Sequence, residues 1–526
     1  MTSKTAEYDV VIVGGGHNGL VAGAYLAKAG KRVLLAERAA RAGGFSQSDY
    51  MIPEAPAHMV NTGAGHLLTV RMSKILKELE LAKHGWSEVT TDPMYAYLAP
   101  NGDSIALFRS VRRTAEDIAR FSKADAQAYL EFMELMDAVL QFAGVLGQGD
   151  PGVRTWKYYV DFARTAFRNR RLREKLELIQ TAPADQLAME WFEHPYTRAF
   201  MLGMVCGPAP FDVDGNAIAY ALFGLYHRVG SSNAVGGMRM VADALTSAFE
   251  AAGGELLLNA HVDEIIIENG RCRGIRVGNR VIDARSVVAT CGPGLVADMA
   301  TPGGLDRVTK ARLEYAPANR GNVGPALLNV ATSRLLTLPR HNAKRPDGVV
   351  LDNAVGLIGS AEELQIALAQ SRRGMVPTTP VFSVLPLSSR ERMAPDGQSV
   401  AYIYLPVFPV EVNEGWSKLK APAEADIMAT AAKYYDGFDS ELGRWFELCP
   451  ERGERTGATN GAVAQVDFGA LRMGAHRPAF GLGGPRPLVP GLFLGGSAIH
   501  PGGGVSGMAG RLAAQRVSDY LAQAGR

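Results

Sequence analysis

The chain has 526 residues, 47% of them apolar and 21% charged, with a formal net charge of +2. That length exceeds one ordinary hydrophobic core, so at least two domains are expected, and the near-neutral balance implies no global attraction to nucleic acid. The four cysteines, Cys206, Cys272, Cys291 and Cys449, form no C-x-x-C pair, and the ten histidines no H-E-x-x-H, so neither dithiol redox chemistry nor a metal site is expected.

Met1 to Glu7 are polar, with no apolar signal core, which predicts a cytoplasmic protein. Val10 to Val13 are β-branched and apolar, as a strand buried on both faces requires. The chain then turns through Gly14-Gly15-Gly16 and enters a helix at His17-Asn18-Gly19 that runs to Gly30. Gly14, Gly16 and Gly19 form G-x-G-x-x-G. The first allows a tight turn, the second lets backbone approach a pyrophosphate, and the third lets helix and strand pack closely. The helix N-terminus faces the phosphates. A second strand, Arg32 to Ala36, ends at Glu37, placed to bond a ribose diol and to repel a 2′-phosphate. Gly43 and Gly44 would let backbone return over the pyrophosphate, with Arg41 adding charge; an ordinary strand-end loop is the alternative.

Residues 53–68 are polar and turn-rich. Residues 71–150 read as helical around a hairpin that turns at Asn101-Gly102. Residues 154–178 are basic and carry Trp156, Tyr158, Tyr159, Phe162 and Phe167. Such a helix can lie on a membrane surface, but a solvated helix packing its aromatics inward is the preferred reading. Residues 195–230 are rich in Met, Phe and Tyr, suiting either a pocket wall or a core. Gly236-Gly237 precedes a helix from Arg239 to Ala252 and a strand from Glu255 to Leu258. Strands then run to Ala289-Thr290 through turns at Asn269-Gly270 and Gly278-Asn279. Strand-like runs at 349–359, 381–388 and 400–408 predict a mixed sheet. The longest uncharged stretch, Leu488 to Gly510, is too rich in glycine to span a membrane. It contains a strand, Leu492 to Leu494, then Gly496, His500 to Gly504 and a helix from about Ser506.

The fingerprint, Glu37 and Arg41 to Gly44 together resemble glutathione-reductase-like FAD-binding proteins. With Gly236-Gly237-Met238 and the Gly496…His500-Pro501-Gly502…Gly504…Gly507 run, the whole chain resembles the phytoene desaturase branch of the flavin amine oxidase superfamily. The resemblance implies an α/β fold: a Rossmann-like FAD-binding domain (residues 1–70, 231–300 and 456–526) with an inserted α+β substrate domain (71–230 and 301–455). It implies FAD as cofactor, held by Gly14, Gly16, His17, Asn18, Gly19, Glu37, Arg38, Arg41, Gly43, Gly44, Val262, Thr290, Gly496, Ser497, Gly503, Gly504 and Val505. In that arrangement the Val262 backbone meets adenine. Asn61, Gly63, Gly65 and His66 border the isoalloxazine, and the last helix points its amides at the flavin pyrimidine.

Ile499 and Ser506 stand where carotenoid desaturases tend to have Thr and Pro, so the resemblance does not extend to a carotenoid substrate. A single dinucleotide fingerprint argues against reduction by NAD(P)H. The expected reaction is oxidative: hydride passes from C–H bonds of an apolar, isoprenoid or alicyclic molecule to flavin N5, and oxygen, a quinone or another acceptor reoxidises the flavin. Candidate bases are His500, His66 and Tyr226, with His58 a further histidine nearby in sequence. Two other functions compete. An amine oxidase is disfavoured because Ser497 replaces the Glu usual in that group; a flavin-free binding protein resembling Rab GDP-dissociation inhibitors is disfavoured by the intact cofactor segments. Expected partners are the apolar substrate, the electron acceptor and peripheral contact with a membrane, without nucleic acid.

Overall fold

Strand Tyr8–Val13 is the centre of a seven-stranded sheet in the computed structural model, which describes residues 6–146, 149–207 and 210–524. Val10, Val11 and Ile12 are fully buried within one hydrophobic core, which leaves no solvent side for a polar residue. Parallel neighbours flank it: Val11 is opposite Leu34 of Val33–Ala36 on one side and Val287 of Arg280–Ala289 on the other. Glu255–Leu257 and Leu492–Leu494 extend the parallel part, and Glu264–Glu268 and Arg271–Val277 complete an antiparallel meander. The turns predicted at Asn269-Gly270 and Gly278-Asn279 join those meander strands.

Helix His17–Lys28 packs against helix Arg239–Ala251 and the C-terminal helix Met508–Ala524. Glycine permits both contacts. A Cβ on Gly510 would lie 2.1 Å from the Asn18 carbonyl oxygen, and one on Gly23 2.8 Å from the Phe249 ring. The C-terminal helix starts at Met508, two residues after the expected Ser506, whose hydroxyl accepts from the Met508 N–H at 3.3 Å.

A second seven-stranded sheet runs in the order Glu441–Glu447, Val323–Thr332, Ser399–Pro409, Phe382–Leu387, Val355–Ile358, Tyr95–Leu98, Ser104–Leu107. It is mixed, as expected: Val355–Ile358 and Tyr95–Leu98 pair in parallel and the other pairs are antiparallel. Strand Val323–Thr332 is buried along its whole length but is not conspicuous in the sequence, because Gly324, Pro325 and Asn329 interrupt its apolar run. Helices Lys123–Leu146, Pro195–Val205 and Ala221–Val229 share a core with one face of this sheet, with Phe200, Phe223 and Leu357 in it. The FAD-type fold with an additional sheet domain is therefore the architecture observed, and the chain alternates between the two sheets.

Two helical expectations change. Residues 72–81, expected to be helical, form only one α-helical turn, Ile75–Glu78, and a 3-10 turn, Leu81–His84, follows after Glu80 takes a left-handed φ of 50°. Residues 154–178 split into Trp156–Arg168 and Arg173–Thr181, and the preferred inward packing of the aromatics is overturned: Trp156 is 82% and Phe167 70% exposed. Helix Trp156–Arg168 contacts Lys123–Leu146 through Phe162, whose ring lies 5.6 Å from that of Phe142, and through Asn169 just beyond its end, whose amide donates to Gln141 at 3.2 Å. No described helix is long and apolar enough to cross a membrane.

Candidate functional site

The glycine turn is built by steric necessity. Gly14 has φ +101°, and a Cβ there would lie 2.8 Å from Thr290 Oγ1; a Cβ on Gly19 would lie 2.1 Å from the Gly14 carbonyl oxygen. Thr290 Oγ1 donates towards Gly14 O (2.8 Å) and Val13 O (3.0 Å), locking the turn to the end of the neighbouring strand. The second glycine pair seats on the first. The Gly43 N–H donates to Gly15 O at 2.7 Å, and a Cβ on Gly44 would come within 3.0 Å of Gly16 Cα.

Glu37 closes this cradle, accepting from the Gly15 N–H at 2.7 Å and the Ala39 N–H at 2.8 Å. The Ala260 N–H donates to Glu37 O at 2.9 Å, which brings the segment before Val262 to the end of the same strand. Asn18 accepts from the Gly510 N–H at 3.2 Å and approaches Ser497 Oγ at 3.5 Å, joining the first helix to the C-terminal run. Gln465 adds a link with no sequence signal: its amide donates to Thr290 O (2.8 Å) and accepts from the Ala498 N–H (2.9 Å).

Two predicted residues use their charge elsewhere. The Arg38 guanidinium donates to Arg455 O at 2.8 Å, at the C-terminal end of helix Cys449–Thr456, and Arg41 is exposed beside Asp243. Helix C-termini attract cations, which accounts for Arg38.

The cradle fits a dinucleotide on one independent observation. His17 is buried at the helix N-terminus, and its Nε2 has no hydrogen-bond partner among the described residues. Burial pulls its imidazole down to about 4, against a hydrogen bond to the Gly504 backbone. A neutral, unsatisfied ring nitrogen at this point is a group waiting for a ligand. FAD there would be held by the Gly14–Gly19 turn, Glu37, Gly43-Gly44 and the Ser497 to Val505 run.

From His17, Ser497 and Gly503 to Val505, a cavity of about 1530 Å³ continues past Tyr95, Tyr402 and Tyr404 to Leu140, Ala143 and Leu225. Its walls are mostly apolar. Asp150 is the one carboxylate among the described lining residues, and it is held by Arg516, whose Nη2 lies 2.8 Å from Asp150 Oδ1. Gly63, Gly65 and His66 also line it. Tyr402 donates to Gly63 O at 2.5 Å, and Tyr95 Oη lies 3.2 Å from His66 Nε2. Asn61 lies outside the lining, accepting from Ser48 Oγ and the Met238 N–H.

His66 and His500 line the cavity with imidazoles pulled down to about 4, by burial in both and by nearby Arg516 in His500, so both are neutral at pH 7. Tyr226 is withdrawn from the candidate bases. It is fully buried in the helical core and donates to Asp92 at 3.1 Å, while Leu222 and Leu225 of its helix line the cavity instead. His58 is likewise buried and outside the lining.

Sequence reasoning missed Tyr95, Tyr402, Tyr404 and Arg477. The spacing of Tyr402 and Tyr404 was readable, since alternate residues of a strand share a face. Arg477 gave no signal. It is fully buried and donates to five carbonyls, of Val466 (2.6 Å), Ala464 (2.9 Å), Ser497 (2.9 Å), Asp467 (3.2 Å) and Arg472 (3.3 Å). Burial pushes the thiols of Cys206 and Cys291 up to about 12, and no metal-holding cluster occurs among the described residues.

Comparison with known proteins gives matching results. The family described as flavin-containing amine oxidoreductase matches residues 19–345. The "pyridine nucleotide-disulfide oxidoreductase domain-containing protein 2" of Rattus norvegicus is 27% identical, over 97% of this chain and 93% of the relative. A limonene dehydrogenase polypeptide of Castellaniella defragrans is 24% identical over 99% and 96%. A neurosporene-forming phytoene desaturase of Cereibacter sphaeroides is 23% identical over 80% and 77%. Among solved structures, putrescine oxidase bound to putrescine superposes with a TM-score of 0.62 at 17% identity, covering 98% of this chain and 99% of that one, which shows likeness of fold.

Proposed function

The chain belongs to the flavin-containing amine oxidoreductase family, in its desaturase-like branch, and from that premise of an FAD-dependent oxidoreductase we propose a dehydrogenase or desaturase acting on an apolar, isoprenoid or alicyclic molecule. The observation that carries the substrate class is the cavity: it is large, mostly apolar, continuous with the cofactor cradle, and its one lining carboxylate is already paired. An ammonium substrate would find no unpaired counter-charge among those residues, whereas an apolar one gains from every wall it covers. The names of the limonene and phytoene relatives point the same way.

FAD, when bound, would supply a two-electron acceptor for hydride from a substrate C–H bond, to be reoxidised by oxygen, a quinone or another acceptor. The chain's own part is to orient the substrate and exclude water. Tyr95 and His66 form a neutral hydrogen-bonding pair inside the cavity, and His500 is the nearer candidate to take a proton, since its Nδ1 is buried without a partner. Residues 1–70, 231–300 and 456–526 then make up the FAD domain, 71–230 and 301–455 the substrate domain, of a cytoplasmic enzyme.

The test is the visible spectrum of the purified protein under anaerobic titration with limonene, cyclohexanone and a primary amine. Flavin bands bleached by the terpene or the ketone support the proposal. Bleaching by the amine alone, or by NADPH alone, overturns it.

A further inference from the structure

Residues that pair directly across a sheet share a face, so strand register fixes which side chains of the second sheet meet the cavity. Ser383 is opposite Tyr404, Leu385 opposite Tyr402, and Val355 opposite Tyr95. All six line the cavity, whereas Val384 and Ile403, one residue along their strands, sit in the core behind the sheet. The cavity floor is therefore one face of that sheet. It carries the hydroxyls of Tyr95, Ser383, Tyr402 and Tyr404 inside walls that are otherwise mostly apolar.

Tyr402 is committed, donating to Gly63 O at 2.5 Å. The other hydroxyls keep donor capacity. Ser383 Oγ, half-buried, has no hydrogen-bond partner among the described residues. Tyr404 Oη reaches only Gly207 O, at 3.4 Å, a long bond that a nearer acceptor displaces. Tyr95 Oη and His66 Nε2 are joined by one bond of 3.2 Å. A phenol and a neutral imidazole hold two hydrogens between them, so one stays unused whichever way that bond runs. Burial pushes the Tyr95 and Tyr404 phenols well above their ordinary value, so both keep their hydrogens. Tyr95 and Tyr402 each feel the charge of Tyr404, and Tyr402 that of Tyr95, so the three phenols converge. The floor thus presents hydrogens, while the carbonyls beside it, of Gly63 and Gly207, already accept.

We propose that the substrate is an alicyclic ketone, whose carbonyl oxygen accepts from Tyr404 and the Tyr95–His66 pair while the apolar walls cover its ring. A hydrocarbon in the same place strips water from these hydroxyls and returns no acceptor, and a site built to bond an oxygen rejects the analogue that lacks it. An alcohol brings a hydrogen of its own to a floor whose carbonyls are occupied. The oxygen also comes to the segment expected at the isoalloxazine: Gly63 accepts from Tyr402, and a Cβ on Gly65 would lie 2.9 Å from the Tyr402 ring. Phenols donating to a carbonyl polarise it, which acidifies the C–H bonds beside it without any charged residue. This assignment rests on the apolar-substrate dehydrogenase reading and narrows it to one functional group.

The test is binding of p-menthane, menthone and menthol to the FAD-loaded protein, since the three share one carbon skeleton and differ only in the oxygen. Calorimetry on anaerobically prereduced protein reads affinity with turnover stopped, and stopped-flow bleaching of the oxidised protein reads reaction. Menthone is expected to bind about tenfold or more tightly than either of the others. Tyr404→Phe and Tyr95→Phe each weaken menthone about tenfold and leave p-menthane unchanged, so selectivity collapses, whereas a merely structural role moves all ligands together. Flavin absorbance and circular dichroism are read on both variants, so misfolding of one leaves the other to decide. Binding of p-menthane or menthol as tight as that of menthone, or variants that keep the wild-type selectivity, overturns the ketone assignment. If limonene bleaches the flavin in that case, the broader apolar-substrate reading stands without it; bleaching by a primary amine alone overturns both.

Discussion

Replacing Arg477 by methionine removes the guanidinium that five backbone carbonyls share, while keeping much of its volume. Four of those carbonyls belong to residues 464–472 and the fifth to Ser497, so the side chain fastens the 464–472 loop to the C-terminal cofactor run. An orphaned buried acceptor costs about 1–3 kcal/mol, which for five sets an upper bound well beyond what the site retains. Three terms reduce it: carbonyls keep a second lone pair, waters enter polar gaps, and the protein no longer buries a cation whose guanidinium burial has already pulled down to about 10. A net loss of about 3 kcal/mol is expected. Because the loosened end includes Ser497, which lines the cavity beside Gly503, FAD affinity falls with stability. Equilibrium dialysis with FAD, protease cutting within 464–477 and the melting temperature each read one part. Arg477→Lys retains the charge but not the five-donor fork, and restores only part. If Arg477→Met binds FAD as wild type and melts at the same temperature, the carbonyl cluster is not what holds the loop.

Other substitutions probe the cradle, the cavity and its histidines. Gly19→Ala puts a methyl 2.1 Å from the Gly14 oxygen and abolishes FAD retention on purification, whereas Glu37→Gln weakens the FAD Kd about tenfold or more by removing the charge from the proposed ribose bonds. Tyr226→Phe leaves turnover within about twofold of wild type and costs about 1 kcal/mol, the value of its bond to Asp92, while Tyr95→Phe slows flavin bleaching about tenfold; stopped-flow reduction and thermal melts separate the two. His17, His66 and His500 all have folded values near 4, below the ordinary 6.5. The unfolded chain therefore binds more protons between those limits, so stability is full above pH about 6.5 and falls as pH drops towards 4. Melts of the wild type and His500→Asn across that window check the sign: the variant loses less.

The parts that were legible in sequence are those where backbone geometry dictates residue type locally. Gly19 is a glycine because a Cβ would lie 2.1 Å from the Gly14 oxygen of the same motif, and Gly14 and Gly44 because their backbones take φ of +101° and +58°, so motif and local structure carry the same information. Strand Val323–Thr332 was harder, since burial of a central strand tolerates Gly324, Pro325 and Asn329 once neighbours on both sides supply the packing. The two clearest misreadings share one cause: periodicity gives which residues stand together, but not which way they face. Tyr226 sits in a helix apolar on most sides, and its phase is settled by a bond to Asp92, 134 residues away in sequence. In Trp156–Arg168, aromatics occur on opposite sides; the shallow contact with Lys123–Leu146 is made by Phe162, whose ring lies 5.6 Å from that of Phe142, and Trp156 and Phe167 stay exposed. Inward packing was the favoured expectation because burial is the usual fate of such residues. The structure turns that around: the helix rests on a single neighbour, so its outer rings have no core within reach and stand in solvent, and helical periodicity alone does not distinguish that outcome from burial.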